Sequence, residues 1–226
     1  MAFLVAAALA TIAVAPARVH MLGRSELGRP IRAVEVGGNG VGPVPNVLVV
    51  GCIHGTECAG TAVVRRLERA RPAGFRLWLV PNLNPDGYAR GTRQNGRGVD
   101  LNRNFPSEWR GGGRPWDPEY PGPRPLSERE TRIAVHLIRR LRPTLTLWFH
   151  QPQGLVRAWG QSVPAARRYA RLAGLPFRRL RWPAGTAPNW QNHRFPGTSS
   201  FVVELPPGPL APSAAARLAA AVLGVA

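Results

Sequence analysis

Along this chain, short continuous apolar runs alternate with stretches of helical spacing. VLVV, residues 47–50, stands before a glycine and marks a buried strand. Helical spacing follows in AGTAVVRRLERARP, residues 59–72, with Pro72 closing it. FRLWLVPNLNPDG, residues 75–87, reads as a second strand that ends at a proline and an Asp-Gly turn. LSERETRIAVHLIRRLRP, residues 126–143, reads as a helix with Ser127 at the N-cap and Glu130 closing a capping box. TLTLWFHQP is a strand running into His150, VPAARRYARLAG a short helix, SSFVVELPPG a buried strand and PSAAARLAAAVLG a last helix. Residues 22–40 read as a hairpin-like strand pair, and residues 88–125, rich in glycine, proline and arginine, as one long loop of the kind that carries function. Strands alternating with helices predict an α/β layer fold with a mainly parallel sheet.

Length and composition sharpen this only slightly. At 226 residues one domain is expected, residues 18–226, large enough to bury roughly 70% of its unfolded surface. Charge is lopsided: 30 basic residues face 12 acidic ones, net +18, and the basic side chains are all arginine. Such a field favours polyanionic surroundings, an anionic cell-wall polymer among them. The arginines are scattered, however, and no zinc-finger spacing, RNA-binding aromatic signature or basic-zipper heptad accompanies them. No specific nucleic-acid partner is therefore expected.

The first 17 residues, MAFLVAAALATIAVAPA, are too short to span a bilayer comfortably and end in the small-residue pattern Ala15-Pro16-Ala17. They read as a signal peptide of an exported protein, although a positive n-region is missing. The other reading is a first helix or strand of a cytoplasmic protein. No transmembrane span is expected in the mature chain, and a monomer is expected.

In an open α/β sheet, ligands bind beyond the carboxyl ends of the strands. His54 follows the first buried strand, His150 ends TLTLWF, and Glu204 closes SSFVVE; Glu57 stands one turn on from His54, inside the helix that follows. Two histidines and one glutamate leave a tetrahedral zinc one open position for water, the arrangement of a catalytic zinc. Glu204, outside that trio, offers the base such a water needs. Taken singly, each has a plainer reading: an ordinary polar pair, a core histidine, a glutamate capping a helix.

The ordered set GCIHGTE, NPDG, R-x-N-x-x-GVDLNRNF, SERET, FHQP and FVVELP resembles the M14 zinc carboxypeptidases. It looks closest to their bacterial branch acting on cell-wall peptides, the murein peptide amidases or γ-D-glutamyl-diaminopimelate peptidases. The resemblance runs from about Leu22 to Pro207. It implies a three-layer α/β/α fold with a mixed, largely parallel central sheet, one Zn²⁺ per chain, and hydrolysis of an amide beside a free carboxylate in a peptide or muropeptide. It makes His54, Glu57 and His150 the zinc ligands and Glu204 the general base. Arg93 would stabilise the oxyanion, and Asn102 and Arg103 would clamp the substrate carboxylate. Asp100 would accept the second N–H of His54. A cis peptide is implied at Gln151-Pro152.

Three departures bear on the site. No tyrosine stands in RRLRWPAGTAPNW, where the digestive enzymes carry a mobile one, which leaves Trp182, Trp190 or His193 to close on substrate. Gly55 and Thr56 stand where those enzymes place an arginine, and GTAPNW holds no acidic residue that would select a basic terminal side chain. Cys52 and Cys58 bracket the His54 turn, either as a disulfide or as buried thiols. Two competing readings are an amidohydrolase like the N-acyl-amino-acid deacylases, and a silent basic module that holds wall polymer.

Overall fold

The computed structural model describes residues 17–38 and 43–226. All of the leader except Ala17 lies outside the described residues. Among the described residues, eight strands form one sheet: β1 (Arg18–Arg24), β2 (Pro30–Gly37), β3 (Asn46–Val50), β4 (Arg76–Val80), β5 (Leu145–His150), β6 (Leu155–Ala158), β7 (Phe177–Arg179) and β8 (Ser199–Glu204). Their order is β1-β2-β4-β3-β5-β8-β6-β7. The centre is parallel, β4 to β3 to β5 to β8, and antiparallel partners flank it at β2 and β6. This is the mixed, largely parallel sheet expected.

Helices α1 (Gly60–Leu67), α2 (Pro85–Arg90), α3 (Arg129–Leu141), α4 (Val163–Ala173), α5 (Ala187–Arg194) and α6 (Pro212–Val225) complete the fold. The central strands are covered on both faces, so they read as unbroken apolar runs; Val47, Leu48, Val49 and Val50 are at most 2% exposed. Among the described residues, no helix is long and apolar enough to cross a membrane.

Several boundaries depart from the sequence pattern, each for a local reason. The helix after VLVV starts at Gly60 and ends at Leu67, short of Pro72. Position 60 takes glycine because a Cβ there would meet Phe149 at 2.4 Å and the Gly51 carbonyl at 2.5 Å. Glu57 and Cys58 are therefore in the turn before α1, not inside it. NPDG opens a helix rather than a β-turn: Asn84 caps α2 through Gly87 N–H at 2.9 Å and Pro85 occupies its first position. The N-cap of α3 is Glu128, not Ser127, and no side chain closes a capping box. Glu130 instead accepts from Glu26 N–H at 3.1 Å, and Ser127 donates to the Glu128 carboxylate at 2.7 Å. Strands β6 and β7 and helix α5 carry too little apolar periodicity to be read from sequence.

Candidate metal centre and cleft

The carboxyl ends of β3, β5 and β8 meet at one point. Parallel pairing sets His150 directly beside Glu204, and the turn after β3 returns His54 and Glu57 over them. A disulfide between Cys52 and Cys58, with Cα atoms 4.6 Å apart, closes that turn and settles the cysteine question in favour of pairing. The turn also passes very close to α2. A Cβ on Gly55 would lie 2.1 Å from the Gly87 carbonyl carbon and 2.4 Å from the Thr92 oxygen, so only glycine fits between the two ligands.

His54 Nδ1, His150 Nδ1 and Glu57 Oε2 form a triangle with sides of 3.0, 3.1 and 3.2 Å. A tetrahedral ion with bonds of ~2.0–2.1 Å has edges of roughly 3.3–3.4 Å, so this triangle is one face of such a tetrahedron. The chemistry of the donors agrees. His54 Nε2 donates to Asp100 at 2.8 Å, which turns the Nδ1 lone pair toward a carboxylate oxygen and a second imidazole nitrogen. One proton can serve only one of these three contacts, whereas a cation serves all of them. The residues fit zinc, and the trio that would hold it lines the cleft.

Charge around the trio is ordered. Burial pushes His54 down, but the charge and hydrogen bond of Asp100 outweigh it and raise its pKa. Burial drives His150 down to about 4 against its contact with Glu57. Burial also works to raise Glu57 and Asp100, yet the histidines, with Arg93 beside Asp100, hold both well below the usual carboxylate range. Glu204 is 6% exposed, and its pKa is raised by burial and by the charge of Glu57, with Arg157 opposing. Its Oε2 has no hydrogen-bond partner among the described residues.

Arg93 bridges the ligand and its support. Nη1 pairs with Glu57 Oε1, while Nε and Nη2 lie 3.1 and 3.0 Å from Asp100 Oδ2. Asn102 is aimed by α5, because its Oδ1 accepts from Ala187 N–H at 2.9 Å and leaves Nδ2 toward His150. Arg103 meets the exposed carboxylate of Glu119. All of them except Asp100, which lies buried behind His54, line a cleft of about 280 Å³ together with Gln151, Trp182, Thr186 and Arg157. The Gln151–Pro152 peptide is cis, as the resemblance implies.

Of the three residues named to replace the missing tyrosine, only Trp182 borders this cleft. Trp190 is core, packed on Phe105 and Phe195. His193 meets Ser107 at 3.1 Å in a neighbouring cavity. Sequence reasoning missed Arg157 and Glu119. The strand register of Arg157 is its only signal, and Glu119 sits in an irregular loop with none. His20 pairs with Glu35 at 2.8 Å away from the site.

The sequence profile of the zinc carboxypeptidase family matches residues 73–191, and one described as a protein of unknown function (DUF2817) matches residues 2–126. The chain belongs to the zinc carboxypeptidase family, and the site is a zinc site of that family. Murein peptide amidase A of Escherichia coli strain K12 is 34% identical over 117 residues, 46% of this chain and 48% of that protein. The match thus spans about half the length of that relative. Carboxypeptidase D of Rattus norvegicus is 32% identical over 148 residues, 50% of this chain and 10% of that one. Among solved structures, the murein-tripeptide amidase MpaA from Escherichia coli O157 superposes with a TM-score of 0.74 at 25% identity, covering 98% of this chain and 97% of that one. Carboxypeptidase A from Helicoverpa armigera shares the fold, with a TM-score of 0.77 at 18% identity, covering 92% and 69%.

Proposed function

We propose that this protein is an exported zinc peptidase that hydrolyses an amide bond beside a free carboxylate in cell-wall muropeptides, at the bond between γ-D-glutamate and diaminopimelate. The observation that carries the reading is the open-sided donor triangle of His54, Glu57 and His150 beside the unpartnered Glu204 carboxylate, in a cleft rimmed by arginines. Likeness to a murein-tripeptide amidase along almost the whole chain supports the substrate class.

His54, Glu57 and His150 would hold the zinc. When bound, it supplies Lewis acidity and brings the pKa of water at its open position from 15.7 toward ~7. Glu204 accepts a proton from the attacking water and later returns it to the leaving amine nitrogen. The raised pKa of Glu204 suits a group that must both take and give this proton. Arg93 donates its remaining N–H groups to the carbonyl oxygen as negative charge develops there. Asn102 and Arg103 hold the terminal carboxylate. For that, Arg103 gives up Glu119, whose side chain is 67% exposed, and an ion pair so exposed is weak. Asp100 keeps His54 in one tautomer.

The Cys52–Cys58 disulfide suits an oxidising compartment, in line with export. The net charge of +18 suits association with an anionic wall polymer. Digestion of defined muropeptides beside ordinary C-terminal dipeptides and N-acyl amino acids, with products identified by mass, tests the reading. Release of diaminopimelate from the tripeptide is expected. Turnover confined to N-acyl amino acids would move the protein to the deacylase-like class instead.

A further inference from the structure

The cleft contains a guanidinium that the chemistry above does not use. Arg157 sits on β6, directly opposite Val202 of β8, while Leu155 of β6 stands opposite Glu204. Residues opposite each other in an antiparallel pair share a face, and every second residue of a strand shares it too. Arg157 therefore projects from the same face as Glu204, two pairs along the ladder, into the cleft it lines.

The other cleft arginines are engaged: Arg93 with Glu57 and Asp100, Arg103 with Glu119. Among the described residues, Arg157 has no carboxylate partner, and its Nε is shut from water with no hydrogen bond. A buried donor left unsatisfied is costly, and a charged one more so. Its charge acts on Glu204, but no hydrogen bond joins the two among the described residues, and Glu204 Oε2 is also without a partner. Beside Arg157 the cleft wall is apolar, made by Val202, Pro188 and Trp182, whose ring lies 5.9 Å from the Arg157 guanidinium carbon.

We propose that Arg157 is the specificity-determining residue of the cleft, receiving a second carboxylate carried on the side chain of the residue that the enzyme releases. The inference rests on the reading that cleavage occurs beside a terminal carboxylate, and it narrows the substrate class. Arg103 and Asn102 take the terminal carboxylate; the apolar wall takes an aliphatic stem; Arg157 takes the anionic end. Glutamate has this form, and the far end of diaminopimelate offers such a carboxylate beside an ammonium. A terminal lysine or arginine would place a cation against Arg157.

The test uses the zinc-loaded protein and peptides that differ only in a terminal Glu, Gln or Lys. Wild type should prefer Glu to Gln by about tenfold or more in kcat/KM, mainly through KM. Arg157→Met should lower the Glu value by about tenfold while leaving Gln within roughly twofold, and Arg157→Lys should restore part of the loss. Zinc content equal to wild type would show that the fold and the metal trio are not the target, and an effect on Glu but not Gln would show that Glu204, which serves both peptides, is not. Equal use of Glu and Gln by wild type, or an equal fall on both in Arg157→Met, overturns the proposal. Calorimetric binding of the same peptides to the Glu204→Gln variant separates the two readings. Glu-selective binding that Arg157→Met abolishes sustains the Arg157 assignment even where no peptide is cut, in which case the hydrolase reading alone fails. Binding of Glu and Gln with equal affinity overturns the Arg157 assignment by itself.

Discussion

Asp100 does more for this site than any other residue outside the ligand trio. It accepts from His54 Nε2 at 2.8 Å, from Arg93, and from the backbone N–H of Asn102 at 2.9 Å, so one buried carboxylate positions an imidazole, a guanidinium and the backbone of Asn102. Asp100→Asn should weaken zinc binding by about 10–100-fold, measured by competition with a chelator, because an amide can present N–H where His54 needs an acceptor. Glu204→Gln should keep the metal and lose about 10²–10⁴ in kcat; near-wild-type turnover in that variant would remove Glu204 as the base. At this scale much was legible. His54, Glu57, His150, Glu204 and Asp100 each sit at a strand end or in a short motif whose spacing survives folding. Arg157 was not, since an arginine in GLVRAWG looks like any strand arginine until β6 is paired against β8. Trp190 and His193 were misjudged because α5 turns one into the core and the other to a separate cavity.

Among elements, the turn between β3 and α1 and the start of α3 hold the most consequence. The disulfide ties the two ends of the turn that carries both His54 and Glu57. Replacing both cysteines with serine should loosen zinc by roughly tenfold, since binding must then order the turn as well; unchanged affinity would show that α2 contacts alone fix it. The start of α3 carries a pH dependence. Burial raises Glu130 from 4.5 to about 7, against hydrogen bonds from Glu26 N–H and Asn95. Below both values it contributes nothing. Between them the folded chain holds more protons than the unfolded one, so stability falls as pH rises, and the full penalty stands above about 7. Glu130→Gln should flatten that fall by roughly 1–3 kcal/mol between pH 5 and 8 in urea unfolding. An unchanged slope would place the titration elsewhere. The sequence gives Glu130 as one side of a capping box, because the spacing is right; only tertiary contact with Glu26 shows what the carboxylate does.

For the whole molecule, the fold class was readable because covered parallel strands must be apolar throughout, and four such runs stand out. The β1–β2 flank was legible as a hairpin-like pair, whereas the β6–β7 edge was not, because both strands are short and β7 is largely exposed. Net charge of +18 acts at this scale too. Co-sedimentation with isolated anionic wall polymer should fall steeply between about 50 mM and about 500 mM salt, while turnover of small peptides changes little. Salt-independent binding would point to specific contacts in place of the overall field. The central claim, that His54, Glu57 and His150 form a zinc centre, is tested most directly by metal analysis of the purified protein. Close to one zinc per chain is predicted, falling to near zero in His150→Ala; less than about half a zinc in the wild type after gentle purification would contradict it.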